Sequence, residues 1–500
     1  MCAKLSEYLI CSTYAQVVNI DVHMLRSMTS LAFSLLSFSL IGQTLQSGAL
    51  PRPNVLFISI DDMNDWTTLF HPSNPIHTPN LQRIAARGVF FSRAYCASPS
   101  CNPSRTAVLT GRRPHRTGVY DNRSDWKSAM PDARTLPRLF RDSGYLVFGA
   151  GKTFHHESDW AFHDQRSFQE YLLMSINEPY PPRKLNGFDW FGSRNTDWGV
   201  FPFDIRQTAD HRTSDYAIAK LQEKHDKPFF LSVGIFKPHS PFFAPAAYFD
   251  QYPLKDLRMP ATNPGDMEDL PPGARQLQDL RTANHGSGKG FWQGLLKAKD
   301  QHRDVHEDFV RSYQACTSFA DAMIGRVFDA LEKSPYRDNT IIVIWSDHGF
   351  HLGEKEQIEK FALWEKTTHV PYIIVAPGQV QPGQTIATPV DLMSVYPTLA
   401  ALCGLPAPAH ADGVSLLPLM LNPQTEMPPA LMTYLRGNHA VRTERWRYIR
   451  YADGSEELYD HANDPEEWVN LALDKDHRKV MDGLRRHIPT EDAVQVRDLK

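Results

Sequence analysis

The sequence contains two apolar, β-branched runs that end in acidic residues. Asp61 and Asp62 directly follow the first run, and Asp347 and His348 follow the second. Ligands of open α/β sheets bind outside the carboxyl ends of the strands, and adjacent carboxylates there repel each other unless a cation lies between them. One such pair would be interpreted as a helix cap, but two matching strand ends predict a metal site. Its oxygen-rich ligands favour a hard ion, calcium or magnesium, over zinc.

A third candidate for chemistry is Cys101, which opens the run Cys-Asn-Pro-Ser-Arg at 101–105. Pro103 is typical of the first turn of a helix. A cysteine just before that turn faces the positive end of the helix dipole and free backbone N–H groups, which together bind anions. Arg105 could reach back toward it. An isolated cysteine would be interpreted as a buried structural thiol, so the surrounding residues decide between a nucleophile and an inert group.

Composition excludes several classes of protein. The chain has 500 residues, of which 42% are hydrophobic and 22% are charged, so it can bury a large globular core. A formal net charge of −4 provides no basic field for nucleic acid. The six cysteines fit neither a zinc template nor a disulfide framework. We therefore expect an ordinary globular protein that does not bind nucleic acid.

Short apolar runs alternate with helical patterns along most of the chain, which predicts a mainly parallel sheet covered by helices on both faces. The predicted strands are 54–60, 145–149, 229–234, 341–345 and 372–375. The predicted helices are 81–88, 135–143, 210–224 and 310–333. Residues 251–305 are polar with weak periodicity, and we expect them to form an irregular excursion over the surface that walls the substrate site.

The chain divides into three predicted segments: an N-terminal extension with a signal peptide at 1–49, a catalytic domain at 50–425, and a smaller C-terminal α+β subdomain at 426–500. A positive charge after Met24 is followed by an apolar run at 31–41 and small residues at 47–49. This is the layout of a signal peptide that starts at Met24 or Met28. The apolar run is too short for a stable membrane span. We therefore expect an exported protein, periplasmic or secreted.

The run Cys-x-Pro-Ser-Arg at 101–105, followed by Leu-Thr-Gly at 109–111, resembles the signature of the type I sulfatases. In that family a maturing enzyme oxidises the cysteine to formylglycine (3-oxoalanine). Further segments that match family motifs are Gly-Lys-x-x-His at 151–155, Lys-Pro-His-x-Pro-Phe at 237–242, and a second lysine at 360. The Lys-Pro-His segment and Thr-Gly-Arg-Arg-Pro at 110–114 most resemble the iduronate-2-sulfatase-like subgroup. The resemblance implies an alkaline-phosphatase-like α/β fold.

The resemblance also implies the residues of the site. The metal ligands are Asp61, Asp62, Asp347, His348 and the formylglycine made from Cys101, and the ion is one calcium, with magnesium as the alternative. The catalytic residues are Cys101, Arg105, Lys152, His155, His239 and Lys360. Hydrated formylglycine, held by Arg105, attacks the sulfur in line while Lys152 and Lys360 hold the sulfate oxygens. His239 protonates the leaving alcohol, and His155 accepts a proton as sulfate is expelled.

The implied function is hydrolysis of a sulfuric ester, with release of inorganic sulfate from a sulfated carbohydrate of the polysaccharide or glycosaminoglycan type. The implied partners are that substrate and a formylglycine-generating or other sulfatase-maturing enzyme. Two alternatives stay open. One is a phosphodiesterase or phosphonate hydrolase of the same superfamily, and the other, if Cys101 is not matured, is an inert protein that binds sulfated glycans. The single hard-ion site and the cysteine motif favour the sulfatase.

Overall fold

The computed structural model of the protein describes residues 52–155, 161–173, 179–285, 289–406 and 409–499. The predicted N-terminal extension and signal peptide lie outside these residues. Within the described ranges, no helix has the length and apolar character that a membrane crossing requires.

The strands of the described residues follow in chain order. They are β1 (Asn54–Ile60), β2 (Val89–Phe91), β3 (Ala94–Tyr95), β4 (Leu146–Gly151), β5 (Glu170–Leu172), β6 (Trp198–Val200), β7 (Phe229–Ile235), β8 (Phe242–Ala244), β9 (Thr340–Ser346), β10 (His351–Leu352), β11 (Ile358–Glu359), β12 (His369–Val370), β13 (Tyr372–Val375), β14 (Gln384–Ile386), β15 (Val390–Asp391), β16 (Ala430–Thr433), β17 (His439–Arg442), β18 (Trp446–Arg450) and β19 (Glu456–Asp460).

The α-helices of the same ranges connect these strands. They are α1 (Pro79–Ala85), α2 (Cys101–Thr110), α3 (Pro114–Thr117), α4 (Trp126–Ala129), α5 (Leu136–Asp142), α6 (Ala209–Gln222), α7 (Ala246–Phe249), α8 (Pro272–His285), α9 (Lys289–Ala298), α10 (Val305–Lys333), α11 (Glu365–Thr368), α12 (Val395–Leu402), α13 (Leu417–Leu421) and α14 (Arg478–Arg485).

The main sheet has eight strands in the order β14-β2-β13-β9-β1-β7-β4-β5. Its centre is parallel, because β1 pairs in parallel with β7 and β9, and β4 pairs in parallel with β7. β13 runs antiparallel to both β9 and β2. Every residue of β1, β7 and β9 is buried. Burial on both faces explains why these strands are continuous apolar runs in the sequence.

Helices cover both faces of this sheet, and β1 shows how its residues divide between them. Leu56 and Ile58 pack into a core that includes apolar residues of α6 and α10. Val55 and Phe57 pack into a second core with residues of α2, α5 and α12. Successive side chains of a strand point to opposite faces, so one short run anchors both helical layers.

A smaller antiparallel sheet, in the order β16-β17-β18-β19, forms near the C-terminus. Tyr448 packs on one face against Met481 of α14. On the other face, Met432 packs with Trp364 and Tyr95 of the larger part of the molecule. The mostly parallel sheet flanked by helices, together with this smaller unit, confirms the predicted fold class. The predicted domain boundary between 425 and 426 stays a prediction.

The expectation that 251–305 is irregular is wrong for two stretches, because α8 and α9 lie within it. Phe291 and Leu295 of α9 pack into the core that contains α10. Ala274 and Leu277 of α8 pack beneath the C-terminal sheet. Both helices contain glycine, which lowers their intrinsic helix propensity. Tertiary burial, more than a local sequence period, therefore stabilises them.

Candidate active site

Four strands of the main sheet end at the same edge. In the register of the sheet, Ile60 lies opposite Ser346 and Ile235, and Gly151 lies opposite Gly234. The sheet therefore brings together the predicted site residues that follow these strands: Asp61 and Asp62 after β1, Lys152 after β4, His239 beyond β7, and Asp347 and His348 after β9. The parallel direction of neighbouring strands, read from the sequence, is the reason these residues meet.

Cys101 lies among these residues and is fully buried. Its Sγ atom is 3.1 Å from Nζ of Lys360 and 3.2 Å from Nε2 of His348. Burial alone would raise the pKa of the Cys101 thiol, but Lys360 and Lys152 outweigh burial and lower the pKa below its ordinary value. The position thus stabilises negative charge on the side chain of residue 101.

The start of α2 is fixed by Asn122, a residue absent from the set predicted from sequence. Its Oδ1 atom accepts a hydrogen bond from the Ser100 hydroxyl at 2.8 Å and another from the Asn102 backbone N–H at 3.0 Å. The Asn102 side chain in turn donates to the carbonyls of Asp121 and Ser124. The residues on both sides of Cys101 are therefore held by one loop. Only the fold shows this contact, because twenty residues of chain separate Asn102 from Asn122.

Arg105 is fully buried and binds two of the predicted metal-ligand carboxylates. Its Nε donates to Asp347 at 2.8 Å, and its Nη2 donates to Asp61 at 3.1 Å. The Nη1 group donates to the main-chain carbonyls of Lys152 and Thr153. These bonds fix the two carboxylates relative to each other. The predicted contact between Arg105 and the side chain of residue 101 stays a prediction.

The adjacent carboxylates of Asp61 and Asp62 have different surroundings. Burial would raise the pKa of Asp61, but Lys152, which donates to it, and Arg105 hold that pKa well below its usual range. Burial raises the pKa of Asp62 to about 7, although Lys360 donates to it at 2.7 Å. Asp61 adds to this rise by charge repulsion. A cation beside Asp62 would remove the cost of ionising it.

The ligand atoms present here fit a hard divalent cation. The donor atoms of Asp61, Asp62, Cys101 and His239 lie within 4.8 Å of one another, and so do those of Asp61, Cys101, Asp347 and His348. All five predicted metal ligands belong to these two groups. Three of the five predicted ligands are carboxylates, and calcium and magnesium prefer such oxygen ligands. The ammonium groups of Lys152 and Lys360 form ion pairs with Asp61 and Asp62.

The two predicted catalytic histidines have different environments. The Nδ1–H of His239 donates to the Ser240 carbonyl at 2.6 Å, which leaves Nε2 as the acceptor. Burial, with the charges of Lys152 and Lys360, holds the pKa of His239 well below its usual value. His155 packs edge-on against Phe162, with ring centroids 4.9 Å apart.

The segment that carries Lys360 has an unusual backbone. Glu359 and Phe361, on either side of Lys360, have φ values of 79° and 78°, in the left-handed region that favours glycine. Asp62 has a φ of 64°. Residues with side chains occupy this region only where the surrounding structure compensates for the strain, and such residues cluster at functional sites. The sequence contains no glycine or proline that would indicate this conformation at 359–361.

A cavity of about 480 Å³ opens from these residues to the surface. Asp62, His239 and Lys360 form part of its lining. Its other lining residues include Asp121, Asn122, Arg123, Ser193, Asn195, Thr196, Leu280, Tyr434 and Leu435, and the exposed ones among them form its rim. Leu280 belongs to the 251–305 segment, which was expected to wall the site. The loop at 121–123 and the turn after β16 were not predicted, because neither carries a motif that indicates chemistry.

Comparison with protein families gives two matches. A family model described as Sulfatase matches residues 53–405. A second model, described as N-sulphoglucosamine sulphohydrolase, C-terminal, matches residues 353–493. The matches together include both the main sheet and the smaller C-terminal sheet.

Individual proteins are similar over most of the chain. A protein named sulfatase from Formosa agariphila is 37% identical over 462 residues, which cover 89% of this chain and 87% of that protein. Iduronate 2-sulfatase from Homo sapiens is 30% identical over 424 residues, covering 76% of this chain and 74% of that protein. The solved structure of BT1596, a 2-O GAG sulfatase, superposes with a TM-score of 0.65 at 23% identity and covers 87% of this chain and 90% of that one. The alkaline-phosphatase-like fold is therefore shared.

Proposed function

The chain belongs to the type I sulfatase family and is a hydrolase of sulfate esters, and from this premise we propose that it releases inorganic sulfate from a sulfated carbohydrate by means of formylglycine at position 101 and one calcium ion. The observation that carries this proposal is the position of Cys101. Its side chain is buried at the first residue of α2, 3.1 Å from the ammonium of Lys360 and beside the carboxylates of the sheet edge. A nucleophilic oxygen on this side chain would lie where negative charge is stabilised.

The residues that would hold calcium are Asp61, Asp62, Asp347, His348 and the side chain of residue 101. When bound, calcium supplies a positive charge that polarises a sulfate oxygen and offsets the charge that develops in the transition state. Arg105 positions Asp61 and Asp347 through hydrogen bonds at 3.1 Å and 2.8 Å. These bonds fix the positions of the two carboxylates relative to each other.

Lys152 and Lys360 are the residues we assign to the sulfate group. Their ammonium groups are bonded to Asp61 and Asp62 and lie beside residue 101, so both are placed where a sulfate ester would bind. Fixed positive charges in a buried site stabilise a developing oxyanion more than the same charges in water do.

We assign proton transfer to His239 and His155. The ammonium groups of Lys152 and Lys360 help to keep His239 neutral in the free enzyme, because they lower its pKa. An anionic sulfate ester bound to both lysines offsets their charge, so His239 takes up a proton as substrate binds. The imidazolium can then protonate the leaving alcohol. His155 serves as the base for release of sulfate from residue 101.

The lining of the cavity supports a carbohydrate as the substrate. Ser193, Asn195 and Thr196 provide hydroxyl and amide groups of the kind that bind sugar hydroxyls, and Phe361 provides aromatic surface. The substrates named for the relatives, iduronate and glycosaminoglycan sulfates, belong to the same class.

Maturation and export complete the proposal. Residue 101 is inaccessible in the folded protein, so a sulfatase-maturing enzyme must reach it before the chain folds. The segment at 24–49 directs the chain to a periplasm or to the medium.

The test is to produce the chain together with a formylglycine-generating enzyme and to measure sulfate release from an aryl sulfate and from a panel of sulfated sugars. We expect release that depends on calcium and is abolished in Cys101→Ala. Cys403→Ala is the matched control, since it removes a buried thiol from a core outside the site and should retain activity.

Two outcomes would contradict the proposal. If mass spectrometry shows formylglycine at position 101 but only phosphate diesters are cleaved, the reaction is wrong. If residue 101 remains a thiol after coexpression and sulfated glycans bind without being cleaved, the protein is a binding protein.

A further inference from the structure

We propose that Arg123 determines specificity by binding a second anionic group of the substrate, a carboxylate or another sulfate ester on the same molecule. The inference rests on the proposed function, because it assigns a substrate class to the same cavity. It narrows that class from sulfated carbohydrates in general to those that carry at least one negative charge besides the sulfate that is removed.

The first argument comes from the cations that line the cavity. Among its described lining residues, the lysines and arginines are Lys360 and Arg123. Lys360 is bonded to Asp62 and contacts Cys101, so it belongs to the reacting centre. Arg123 lies on the rim, and its side chain is 68% exposed. A positive charge is therefore available on the rim, separate from the charges that bind the reacting sulfate.

The main chain of Arg123 is held firmly although its side chain is exposed. The backbone N–H donates to Oδ1 of Asp121 at 2.8 Å, and the carbonyl accepts from the backbone N–H of Leu499 at 2.8 Å. The preceding residue, Asn122, bonds the first turn of α2 at 3.0 Å. Arg123 therefore directly follows a residue that contacts α2, the helix that begins at Cys101, and consecutive Cα atoms are about 3.8 Å apart. A guanidinium from this point can reach a group on the same sugar or on its neighbour.

The partner of the Arg123 side chain is weakly bound. Its Nε lies 3.4 Å from Oδ2 of Asp498, and the Asp498 side chain is 40% exposed. Exposed ion pairs of this kind add little stability, so a substrate anion can replace Asp498 at small cost. The planar fork of the guanidinium also matches the geometry of a carboxylate or sulfate, which accepts two parallel hydrogen bonds.

The neighbouring acid, Asp121, is bound within its own loop and to the end of the chain. Its Oδ1 accepts the backbone N–H groups of Arg123 and Ser124, and its Oδ2 accepts the side-chain amide of Gln495 at 3.1 Å. The carboxylate is therefore used to shape the loop. Beside this loop the cationic group that lines the cavity is Arg123, and a guanidinium favours anions.

The experiment compares Arg123→Ala with the parent enzyme, both matured, on three substrates. Two of them, an aryl sulfate and a monosulfated disaccharide, are neutral apart from the sulfate ester, and the third is a sulfated disaccharide that also carries a uronate carboxylate. A charge-assisted hydrogen bond to the carboxylate predicts a KM about 10-fold or more higher for the third substrate, with kcat nearly unchanged. The KM values for the two neutral substrates should stay within about 2-fold. Rising salt should raise the parent's KM for the third substrate and affect the variant less.

Arg116→Ala is the matched control. Arg116 is also exposed, at 57%, and pairs with Asp412 at 3.3 Å, but it does not line the cavity. We expect its KM values to equal those of the parent on all three substrates. An equal change of KM on all three substrates in Arg123→Ala, or no change on any, would overturn the proposal.

A binding measurement separates this inference from the proposed function. Calorimetry on the Cys101→Ala variant and on the double variant with Cys101→Ala and Arg123→Ala measures the affinity of each protein for the uronate disaccharide without turnover. If no sulfate ester is cleaved by the parent but affinity still falls about 10-fold with loss of Arg123, the inference stands and the proposed reaction fails. Equal affinities in the two proteins would refute the inference even if sulfatase activity is found.

Discussion

At the scale of single residues, two identical side chains of this site differ in pKa because their neighbours differ. Asp61 and Asp62 are adjacent and equally inaccessible. Two cations, Lys152 and Arg105, hold the pKa of Asp61 low against burial, whereas burial raises the pKa of Asp62 to about 7 despite Lys360. The sequence Asp-Asp indicates that a cation is needed, but it cannot indicate which carboxylate needs it more. That difference depends on residues that are distant in the chain.

A second buried carboxylate gives a prediction that does not involve the metal. Asp321 of α10 accepts the backbone N–H groups of Asn80 and Leu81 at the start of α1. Burial nevertheless raises its pKa from 3.8 to about 6. The folded state therefore holds this proton more tightly than the unfolded state does. The resulting stabilisation is complete below pH 3.8 and is lost as pH rises through 6.

Asp321→Asn should reveal this loss, because asparagine does not titrate. Urea unfolding of parent and variant at pH 4 and pH 7 should show that the parent loses about 2 kcal/mol relative to the variant over this interval. The substituted side-chain amide changes the hydrogen bonds of the variant by the same amount at pH 4 and at pH 7, so this change cancels from the pH-dependent difference. A difference between the two proteins that is independent of pH would contradict the assignment.

At the scale of elements, the sequence predicts those features that depend on local pattern. The central strands appear where the apolar runs lie: 54–60 and 372–375 match β1 and β13, and 341–345 lies within β9. The acidic residues after two of these strands could be placed at one edge because the strands are parallel neighbours. In contrast, the left-handed backbone around Lys360 and the contact of Asn122 with α2 depend on tertiary packing, and no local signal indicates them.

The close contact between β4 and β7 provides a test of how elements position a catalytic residue. The backbone N–H of Lys152 donates to the Gly234 carbonyl at 3.0 Å. A Cβ atom at Gly234 would lie 2.2 Å from the carbonyl carbon of Lys152, which is far inside van der Waals contact. Gly234→Ala should therefore displace Lys152 without changing any charge. A displacement of about 1 Å can lower turnover by about 100-fold, so we expect kcat to fall to that extent.

The control for this substitution is Gly483→Ala in α14, where an added Cβ meets no atom within 4 Å. Replacement of a helical glycine by alanine should stabilise the protein by about 0.5–1 kcal/mol and leave kcat unchanged. Thermal unfolding measured alongside activity shows whether Gly234→Ala remains folded. A folded Gly234→Ala with the parent's kcat would show that Lys152 does not need its present position.

At the scale of the whole molecule, the C-terminal part is joined to the rest by buried charges and by the end of the chain. Arg447 of β18 pairs with Glu365 and Glu467 and is fully buried. Removing one partner from such a group leaves an uncompensated charge, which is why the smaller sheet and the larger part of the molecule depend on each other. The sequence separates Arg447 and Glu365 by 82 residues, so this pairing could not be read from local pattern.

The last residues of the chain lie along the loop that holds the nucleophile helix. The backbone N–H groups of Ala493, Val496 and Leu499 donate to the carbonyls of His115, Gly118 and Arg123, and Asp125 donates back to Arg497. Removal of residues 491–500 should free the loop at 121–124, loosen the start of α2, and open the rim of the cavity. We expect kcat to fall and the KM for sulfated sugars to rise, each by about 10-fold or more, measured on matured enzyme.

Calcium affinity distinguishes this specific effect from general misfolding. The residues assigned to the metal are bonded to one another and to Arg105, and none of their described hydrogen bonds runs to the tail. The truncated protein should therefore bind calcium as the parent does. A variant with only Gln495→Ala and Asp498→Ala keeps the backbone bonds and should lose less activity than the truncation. If the truncated enzyme has the parent's kcat and KM, the loop at 121–124 holds the nucleophile helix without the tail, and the site is complete within the chain up to residue 490.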